Sequence, residues 1–263
     1  MVTCAVSTAY YETIEEENVL QIQRSLLVAG IAVALTAPAA AQESDEWSGS
    51  VELGLVETSG NTEETTISGE ADVTRNWNDW RQNVLLQSRY AEQGGERTAE
   101  RYSAATQLDY KFNPNDFVFV RGSYSNDDFS GYQFQASTSA GYGRRLWSEG
   151  ESYFDVSSGL GYRYGRFDTP DPEEGEEEED PIGRLAGDFR YQLSETAHFR
   201  QEAETEVSLD DGDALSRSVT ALQANVNSSL AIKLSYTVEH NSNPPTGTER
   251  TDTITAVTLL YGF

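Results

Sequence analysis

Residues able to perform acid–base or nucleophilic chemistry are scarce in this sequence. It contains two histidines, His198 and His240, and one cysteine, Cys4. No Gly-x-Ser-x-Gly motif supplies a nucleophilic serine, and no histidine or cysteine cluster has the spacing of a zinc or iron site. His240 could act as the general base of a lipid hydrolase, but the sequence shows no serine within its reach. We therefore predict no catalytic residue, no cofactor and no enzyme activity, and a lipid-modifying enzyme is the least favoured alternative.

The densest group of potential metal ligands is an acidic run, DPEEGEEEEDP, at residues 171–181. It carries eight carboxylates: Asp171, Glu173, Glu174, Glu176, Glu177, Glu178, Glu179 and Asp180. Carboxylate oxygens bind calcium, but the run lacks the Asp-x-Asp-x-Asp-Gly frame of a dedicated site. We interpret it as a solvated, self-repelling loop outside the strands, and weak divalent-cation binding is the sharper alternative.

The composition restricts the possible partners. A net charge of −26 disfavours nucleic acid, whose phosphates require a basic protein surface. The 14 tyrosines, 10 phenylalanines and 4 tryptophans argue against a disordered chain. A single cysteine cannot form an internal disulfide bond.

Two N-terminal segments differ from the rest of the chain. In IQRSLLVAGIAVALTAPAAA, Arg24 precedes a short apolar stretch and then small residues typical of a cleavage site. This pattern predicts a cleaved secretory signal peptide over residues 21–41. Residues 1–20 are acidic where a signal peptide should be basic, so we interpret them as an extension from a wrongly assigned start codon. The mature chain, residues 42–263, is then a single domain.

Beyond residue 41 the sequence repeats alternating runs of about ten residues, with the period of two that β-strands require. In YSAATQLDYKF, for example, Leu108 and Tyr110 fall on one face, whereas Asp109 and Lys111 fall on the other. Twelve runs are predicted, at about 47–58, 65–77, 80–91, 100–112, 116–126, 132–146, 152–166, 183–193, 197–209, 215–226, 230–241 and 250–263.

The connections between these runs alternate between tight turns, such as ND and NPN, and longer polar loops, such as EQGGERT and SNPPTGTE. A soluble sandwich gives no reason for this sorting, whereas a membrane barrel has short periplasmic turns and longer outer loops. The sequence therefore predicts an all-β fold, a transmembrane antiparallel up-and-down β-barrel of about twelve strands. The chain would be exported through the periplasm to the outer membrane.

Aromatic residues mark two levels of the predicted barrel, as expected of interfacial girdles. The tight-turn end has Trp47, Trp77, Trp80, Phe112, Trp147, Phe154, Phe199 and Phe263, and the long-loop end has Tyr90, Tyr102, Tyr124, Tyr132, Tyr164 and His240. The last strand must pair with the first to leave no open edge. Its Tyr261 and Phe263 resemble the terminal signal that the outer-membrane assembly machinery reads.

The opposite register predicts a charged lumen. Its candidate residues are Arg121, Arg145, Arg163, Arg184, Glu202 and Glu204, with His198 near the lower rim and Gly143, Gly159 and Gly161 leaving free space. Such charges either pair into a network that fills the barrel or line a narrow polar pore. Twelve strands lie between the filled eight-stranded size and the open sixteen-stranded size, so both interpretations stay open. An acidic rim predicts cation preference for any pore.

Three stretches resemble the YdiY-like family of salt-induced outer-membrane proteins, a domain of unknown function. They are TSGNTEETTISGEADV at 58–73, FNPNDFVFVRGSYSNDDFSGYQFQASTSAGYGRRL at 112–146 and LSYTVEHNSNPPTGTERTDTITAVTLLYGF at 234–263. The resemblance covers residues 47–263 and implies an outer-membrane β-barrel, but it supplies no catalytic or binding residues. The acidic run is not expected of the family in general.

These observations predict a narrow or plugged polar channel or an envelope-stress barrel related to salt. The alternative is a structural or surface-interaction barrel without transport, and an outer-membrane lipid-modifying enzyme is less favoured than either. The expected partners are outer-membrane lipid, the assembly machinery and ions or small polar solutes.

Overall fold

The computed structural model describes residues 45–58, 64–171, 175–245 and 248–263. The described residues form twelve β-strands, numbered in chain order: β1 Asp45–Thr58, β2 Glu64–Trp77, β3 Trp80–Gln93, β4 Glu96–Lys111, β5 Asp116–Asp127, β6 Tyr132–Glu149, β7 Ser152–Asp171, β8 Gly175–Gln192, β9 Ala197–Ser208, β10 Ala214–Asn225, β11 Leu230–Asn241 and β12 Thr251–Gly262. The two predicted N-terminal segments, 1–20 and 21–41, lie outside the described residues and stay predictions.

The strands close into one barrel. Each pairs antiparallel with its neighbours in the chain, and β1 pairs with β12 to complete the ring. This confirms the predicted twelve-stranded up-and-down barrel. In the part of the chain that is described, no helix is long and apolar enough to cross a membrane.

The closing seam joins β1 and β12 over a short register, from Ser50–Gly262 to Leu53–Leu259. Below it, the backbone N–H of Phe263 donates to the carbonyl of Gly49, and that of Gly49 donates to the carbonyl of Phe263, both at 3.0 Å. Tyr261 and Phe263 are about half exposed on the outer surface. The role of these two residues as an assembly signal stays a prediction.

Polarity is inverted between the two faces of the barrel. Leu55 and Leu160 are each 67% exposed on the outside, whereas Asp109 and Arg163 are only 2% and 3% exposed inside. The inversion follows from alternation, because successive side chains of a strand point to opposite faces. An apolar outer surface around a closed sheet is what a bilayer requires, since lipid cannot satisfy open backbone groups. The protein is therefore a β-barrel of the outer membrane.

Two ends of the barrel are distinguished by their connections. The end called the turn end contains the links at residues 78–79, 112–115, 150–151, 193–196 and 226–229. The opposite end is called the loop end. The prediction of a long loop between β3 and β4 is wrong, because β3 continues to Gln93 and β4 begins at Glu96. Gly94 and Gly95 make the link, with φ of +60° and +84°. This left-handed backbone suits a two-residue hairpin and favours glycine.

The acidic run is a second correction. We predicted a solvated loop outside the strands, but β7 continues to Asp171 and β8 begins at Gly175. Residues 175–180 are thus part of a hydrogen-bonded strand. The adjacent carboxylates can lie in one strand because the neighbouring strands β7 and β9 supply hydrogen-bond donors to them.

Tyr132 departs from the predicted outer girdle. A register irregularity lies between Tyr132 and Phe134 in the pairing of β6 with β7. An extra residue in one strand turns the side chains beyond it to the other face. Tyr132 is consequently only 5% exposed and stacks on Phe167, with ring centroids 4.8 Å apart. The girdle assignment of Tyr132 is therefore wrong.

Candidate functional site

The lumen is the site at which the sequence predictions converge. All six candidates lie on its inner wall: Arg121, Arg145, Arg184, Glu202 and Glu204 around a turn-end cavity of about 700 Å³, and Arg163 around a loop-end cavity of about 520 Å³. Acidic and basic side chains are nearly equal in number around the turn-end cavity. The acid excess of the chain therefore lies mostly outside the lumen.

A charged septum separates the two cavities. Four residues line both of them: Leu85, Arg121, Glu204 and Arg217. Arg121 on β5 places Nη2 3.5 Å from Oε2 of Glu204 on β9, and Arg184 on β8 donates to the same oxygen. We call Arg121, Arg184 and Glu204 the septum. Because β5 and β9 are not neighbours, the septum spans the lumen.

A second set of ion pairs crosses the lumen near the turn end. Arg145 binds Asp155 through both Nε, at 2.6 Å, and Nη2, at 2.8 Å. Arg81 on β3 donates to Asp109 at 2.6 Å and lies 3.7 Å from Asp155 on β7. Asp109 is almost fully buried, yet we did not single it out from the sequence. Its inward register was visible in the alternation of β4, but its arginine partner was not.

Glu202 belongs to a neighbouring cluster centred on Arg200. This guanidinium contacts Glu202 and lies 3.2 Å from the carboxylate of Asp188. It also lies 4.0 Å from Asp72 on the opposite wall. Tyr153 donates its hydroxyl hydrogen to Asp188 at 3.0 Å. The predicted lumen carboxylate Glu202 is thus paired and is not a free ligand for a passing cation.

A lysine cluster ties the closing seam from the inside. Lys233 on β11 lies 2.8 Å from Glu52 on β1 and 3.3 Å from Glu70 on β2. Thr258 on β12 donates to Glu52 at 3.0 Å, and Gln87 on β3 donates to Glu70 at 2.6 Å. Side chains from five strands therefore meet around one partly buried ammonium. These five residues are called the lysine cluster.

Arg163 organises the loop end and explains how the acidic run forms a strand. Its Nη2 donates to Glu178 at 2.8 Å and to Asp180 at 2.5 Å. Tyr132 donates to Glu178 at 2.7 Å, and Ser208 donates to Asp180 at 3.1 Å. The inward carboxylates of the run are therefore satisfied by protein donors.

The outward carboxylates of the run find tyrosine partners on β7. Tyr162 donates to Glu179 at 2.8 Å, and Tyr164 is hydrogen-bonded to Glu177. Glu173 and Glu174 lie outside the described residues. Among the described residues, no group of three or more histidine, cysteine, aspartate or glutamate side chains is placed to hold a metal ion. Weak divalent-cation binding by the run stays a prediction.

The expectation that inward glycines leave free space is wrong. A Cβ atom on Gly143 would lie 2.1 Å from Cζ of Phe117, and one on Gly159 would lie 3.0 Å from Cζ of Phe119. Both phenylalanines are on the inward register, 6% and 2% exposed. At Gly161 the obstacle is the backbone oxygen of Thr138, at 2.1 Å. The glycines therefore make room for aromatic rings and for close strands, and not for solutes.

The two histidines lie on opposite faces of the wall. His198 lines the turn-end cavity, as expected. His240 is exposed on the outer face, where its Nδ1 is 2.8 Å from Oγ1 of Thr251. The turn-end cavity therefore contains one imidazole among many fixed charges, an arrangement suited to ion contacts.

Comparison with known proteins gives one curated relative, the uncharacterized protein YdiY of Escherichia coli (strain K12). It is 27% identical over 231 residues, which cover 86% of each chain. Among solved structures, the COG4313 outer membrane channel from Pseudomonas putida F1 matches 87% of this chain and 100% of its own, with 11% identity and a TM-score of 0.49. The match to the NanC porin covers 81% of this chain and 97% of the porin chain, with 14% identity and a TM-score of 0.45. Likeness this low does not transfer the activity of those proteins.

The family comparison is more decisive. The model described as "Protein of unknown function, DUF481" matches residues 51–263, which is most of the chain and the whole barrel after the start of β1. Those residues include all three stretches whose motifs resembled the YdiY-like family. The chain therefore belongs to the YdiY-like DUF481 family.

Proposed function

We propose that this outer-membrane barrel is a narrow polar channel that its own ion pairs hold closed. The observation that carries the proposal is the septum: two lumen cavities of about 700 and 520 Å³ meet where Arg121 and Arg184 hold Glu204. A barrel that served only as a wall would not need a cavity on each side of this septum.

The strength of the septum indicates rare opening. Two unit charges 4 Å apart attract each other by about 4 kcal/mol at an effective dielectric constant of about 20. Rehydration of the separated charges offsets part of this energy, so thermal opening is infrequent but accessible. We therefore expect small, brief conductance steps for ions or small polar solutes.

Charge selectivity would come from the loop end. The link between β9 and β10 presents Asp210, Asp211 and Asp213 to solvent. A hydrogen bond from the backbone N–H of Asp213 lowers the pKa of Asp211, which keeps that carboxylate charged. An acidic mouth concentrates cations through its field. The lumen beyond it is nearly balanced, so cation preference should be modest.

Single-channel recording in planar bilayers tests the proposal. Arg121→Ala removes the arm that crosses the lumen, so its open probability should rise several-fold above that of the unaltered protein. Arg190→Ala is the matched control, because Arg190 lines the turn-end cavity away from the septum and its ion-pair partner among the described residues is Glu151, at 3.9 Å. Correctly folded protein that stays silent in both variants would contradict the channel proposal.

A structural barrel without transport is the second candidate. It is favoured by the same cross-lumen pairs, because Arg101 on β4 contacts Glu239 on β11 and Arg200 on β9 approaches Asp72 on β2. Bonds between opposite walls would brace the barrel against collapse. The two candidates differ in one result, since bracing predicts silence after Arg121→Ala together with a lower unfolding midpoint.

A role in the envelope under salt stress is proposed from the family resemblance. A strain that lacks the protein should grow more slowly than its parent in high salt, and the intact gene should restore growth. If the Arg121→Ala variant restores growth less well than Arg190→Ala, the septum is connected to the physiological role. Equal growth of the parent and the deleted strain at every salt concentration would contradict this role.

A further inference from the structure

A row of four polar side chains crosses the outer face of β9 to β12. The strand register places Thr205 opposite Ser216, Ser216 opposite His240, and His240 opposite Thr251. The row faces outward because the next positions along the strands, such as Arg217 and Glu239, point into the lumen. The sequence offered no serine within reach of His240, and the closed sheet supplies Ser216.

The hydrogen bonds of this row leave one imidazole nitrogen available. Nδ1 of His240 lies 2.8 Å from Oγ1 of Thr251 on β12. Ser216 lies on the other flank of His240, and directly opposed residues have Cβ atoms about 4.5–5.5 Å apart. The Ser216 hydroxyl is now 2.8 Å from the hydroxyl of Thr205. The reaction proposed below therefore requires a χ1 rotation of Ser216 that takes its Oγ from Thr205 to within hydrogen-bond distance of Nε2 of His240.

The height of the row matches a particular chemical layer of the membrane. Ser216 is nine residues from Asn225, the last residue of β10 at the turn end. At about 3.3 Å per residue and a tilt of about 40°, this separation is about 23 Å along the membrane normal. The apolar band of such barrels is about 25 Å tall. The row therefore lies at the upper boundary of the hydrocarbon, where lipid ester groups are found.

The surface beneath the row is also unusual for a lipid-facing wall. Gln201 donates to Ser218 at 2.9 Å and accepts from the Thr220 hydroxyl at 2.6 Å. Elsewhere the outer face carries residues such as Leu108 and Leu160, 37% and 67% exposed. A self-satisfied polar patch lets the polar part of a lipid approach this sector more closely than the rest of the belt.

We propose that Ser216 and His240 form a site for hydrolysis of acyl esters of outer-leaflet lipids. Nε2 of His240 takes the hydroxyl proton while Oγ of Ser216 bonds to the ester carbonyl carbon. The bond from that carbon to the alcohol oxygen of the lipid breaks, and this oxygen receives the proton from His240. Water, deprotonated by Nε2 of His240, then attacks the acyl carbon; the bond from that carbon to Oγ of Ser216 breaks, Oγ receives the proton from His240, and the fatty acid is released.

The neighbours of this pair have distinct roles in the same step. The Thr205 hydroxyl, beside Ser216, donates a hydrogen bond to the oxygen that becomes negative. In this step Thr251 accepts from Nδ1–H of His240, which leaves Nε2 as the base, and Thr251 is a positioning residue because this contact orients the ring. Ser216 and His240 border the rim of the loop-end cavity, but neither belongs to the septum, so the ester site does not depend on the channel proposal.

Fatty-acid release from dioleoyl phosphatidylcholine in mixed micelles tests the site with the full chain. The unaltered barrel should release fatty acid, and Ser216→Ala and His240→Ala should each lower the rate by at least about 100-fold. Thr106→Ala is the control, since Thr106 is an exposed hydroxyl residue on β4 that donates to the backbone oxygen of Asn83, away from the row and its polar patch, and the rate of this variant should be unchanged. All variants should keep the heat-modifiable migration of a folded barrel.

Two further measurements make the test decisive. A fluorophosphonate probe should attach to Ser216, as seen by peptide mass spectrometry, and Thr251→Val should lower kcat about tenfold with KM unchanged while Thr251→Ser restores it. A folded barrel that releases no fatty acid and acquires no adduct at Ser216 overturns the proposal. Release that persists in Ser216→Ala also overturns it, because the activity would then come from elsewhere.

Discussion

The closing seam and the wall formed by β6, β7 and β8 hold the barrel by different means. At the seam, β1 and β12 pair only from Ser50–Gly262 to Leu53–Leu259. In the far wall, β6 and β7 pair from Glu149–Ser152 to Tyr132–Phe167. The seam therefore has few backbone hydrogen bonds, and the far wall has a long, nearly continuous ladder.

The side chains behind these two regions compensate for that difference. The lysine cluster joins five strands behind the seam through ion pairs and hydrogen bonds. Behind the far wall, Phe117 and Phe119 pack against inward glycines of β6 and β7, and the guanidinium groups of Arg81 and Arg184 lie over their rings. Closure thus depends on directional polar contacts where backbone pairing is short, and on close strand approach where it is long. The first should be sensitive to charge, and the second to volume.

Deletion of Phe263 should have the largest effect, because it removes both backbone hydrogen bonds to Gly49 and the proposed assembly signal. We expect little heat-modifiable protein in the outer-membrane fraction. Phe129→Ala is the control, since Phe129 is a half-exposed aromatic in the link between β5 and β6 at the loop end. Equal membrane yields of the two variants would show that the seam does not need its terminal residue.

Lys233→Met should have the next largest effect, because it leaves two inward carboxylates, Glu52 and Glu70, without their shared cation. Breaking a buried pair by removing one partner typically costs about 3–5 kcal/mol of unfolding free energy. Urea titration of the folded barrel in lipid measures this loss of unfolding free energy. The double variant Lys233→Met with Glu52→Gln should recover part of the loss, and no recovery would mean that the cluster does not act through charge.

Gly161→Ala tests the far wall. The new Cβ would lie 2.1 Å from the backbone oxygen of Thr138, which cannot move aside easily. Overpacking of this kind costs about 1–3 kcal/mol, measured by the same urea titration. Gly122→Ala is the control, because its nearest atom is 4.0 Å away. If Gly122→Ala lowers the unfolding free energy as much as Gly161→Ala does, the loss comes from replacing a glycine in a strand and not from close packing.

The smallest expected effect is that of salt, which should distinguish the closing seam from the far wall. Raising ionic strength from 0.1 M to 1 M shortens the Debye length from about 10 Å to about 3 Å. The penalty of Lys233→Met should then fall by up to about 1 kcal/mol, because partly wet ion pairs are screened. The penalty of Gly161→Ala should not change with salt. If both penalties fall equally, the proposed division between charge and volume is wrong.

The sequence by itself determined the number of strands, their inward and outward faces and the aromatic levels. These features repeat along each strand with a period of two, so local patterning is sufficient to predict them. It is for this reason that the lumen positions of Arg121, Arg145 and Arg184 could be predicted. The exceptions were local as well: one irregularity in β6 turned Tyr132 inward.

Only the tertiary structure decided which residues meet. Arg121 and Glu204 are 83 positions apart in the chain and on non-neighbouring strands, so their contact depends on the stagger and diameter of the closed ring. Arg163 meets Glu178 for a different reason, because β7 and β8 are consecutive strands whose register brings the two side chains together and places the acidic run in a strand. Alternation states which face a side chain occupies, but the partner it finds depends on the register of neighbouring strands and, across the lumen, on strands that become opposite walls only when the barrel closes.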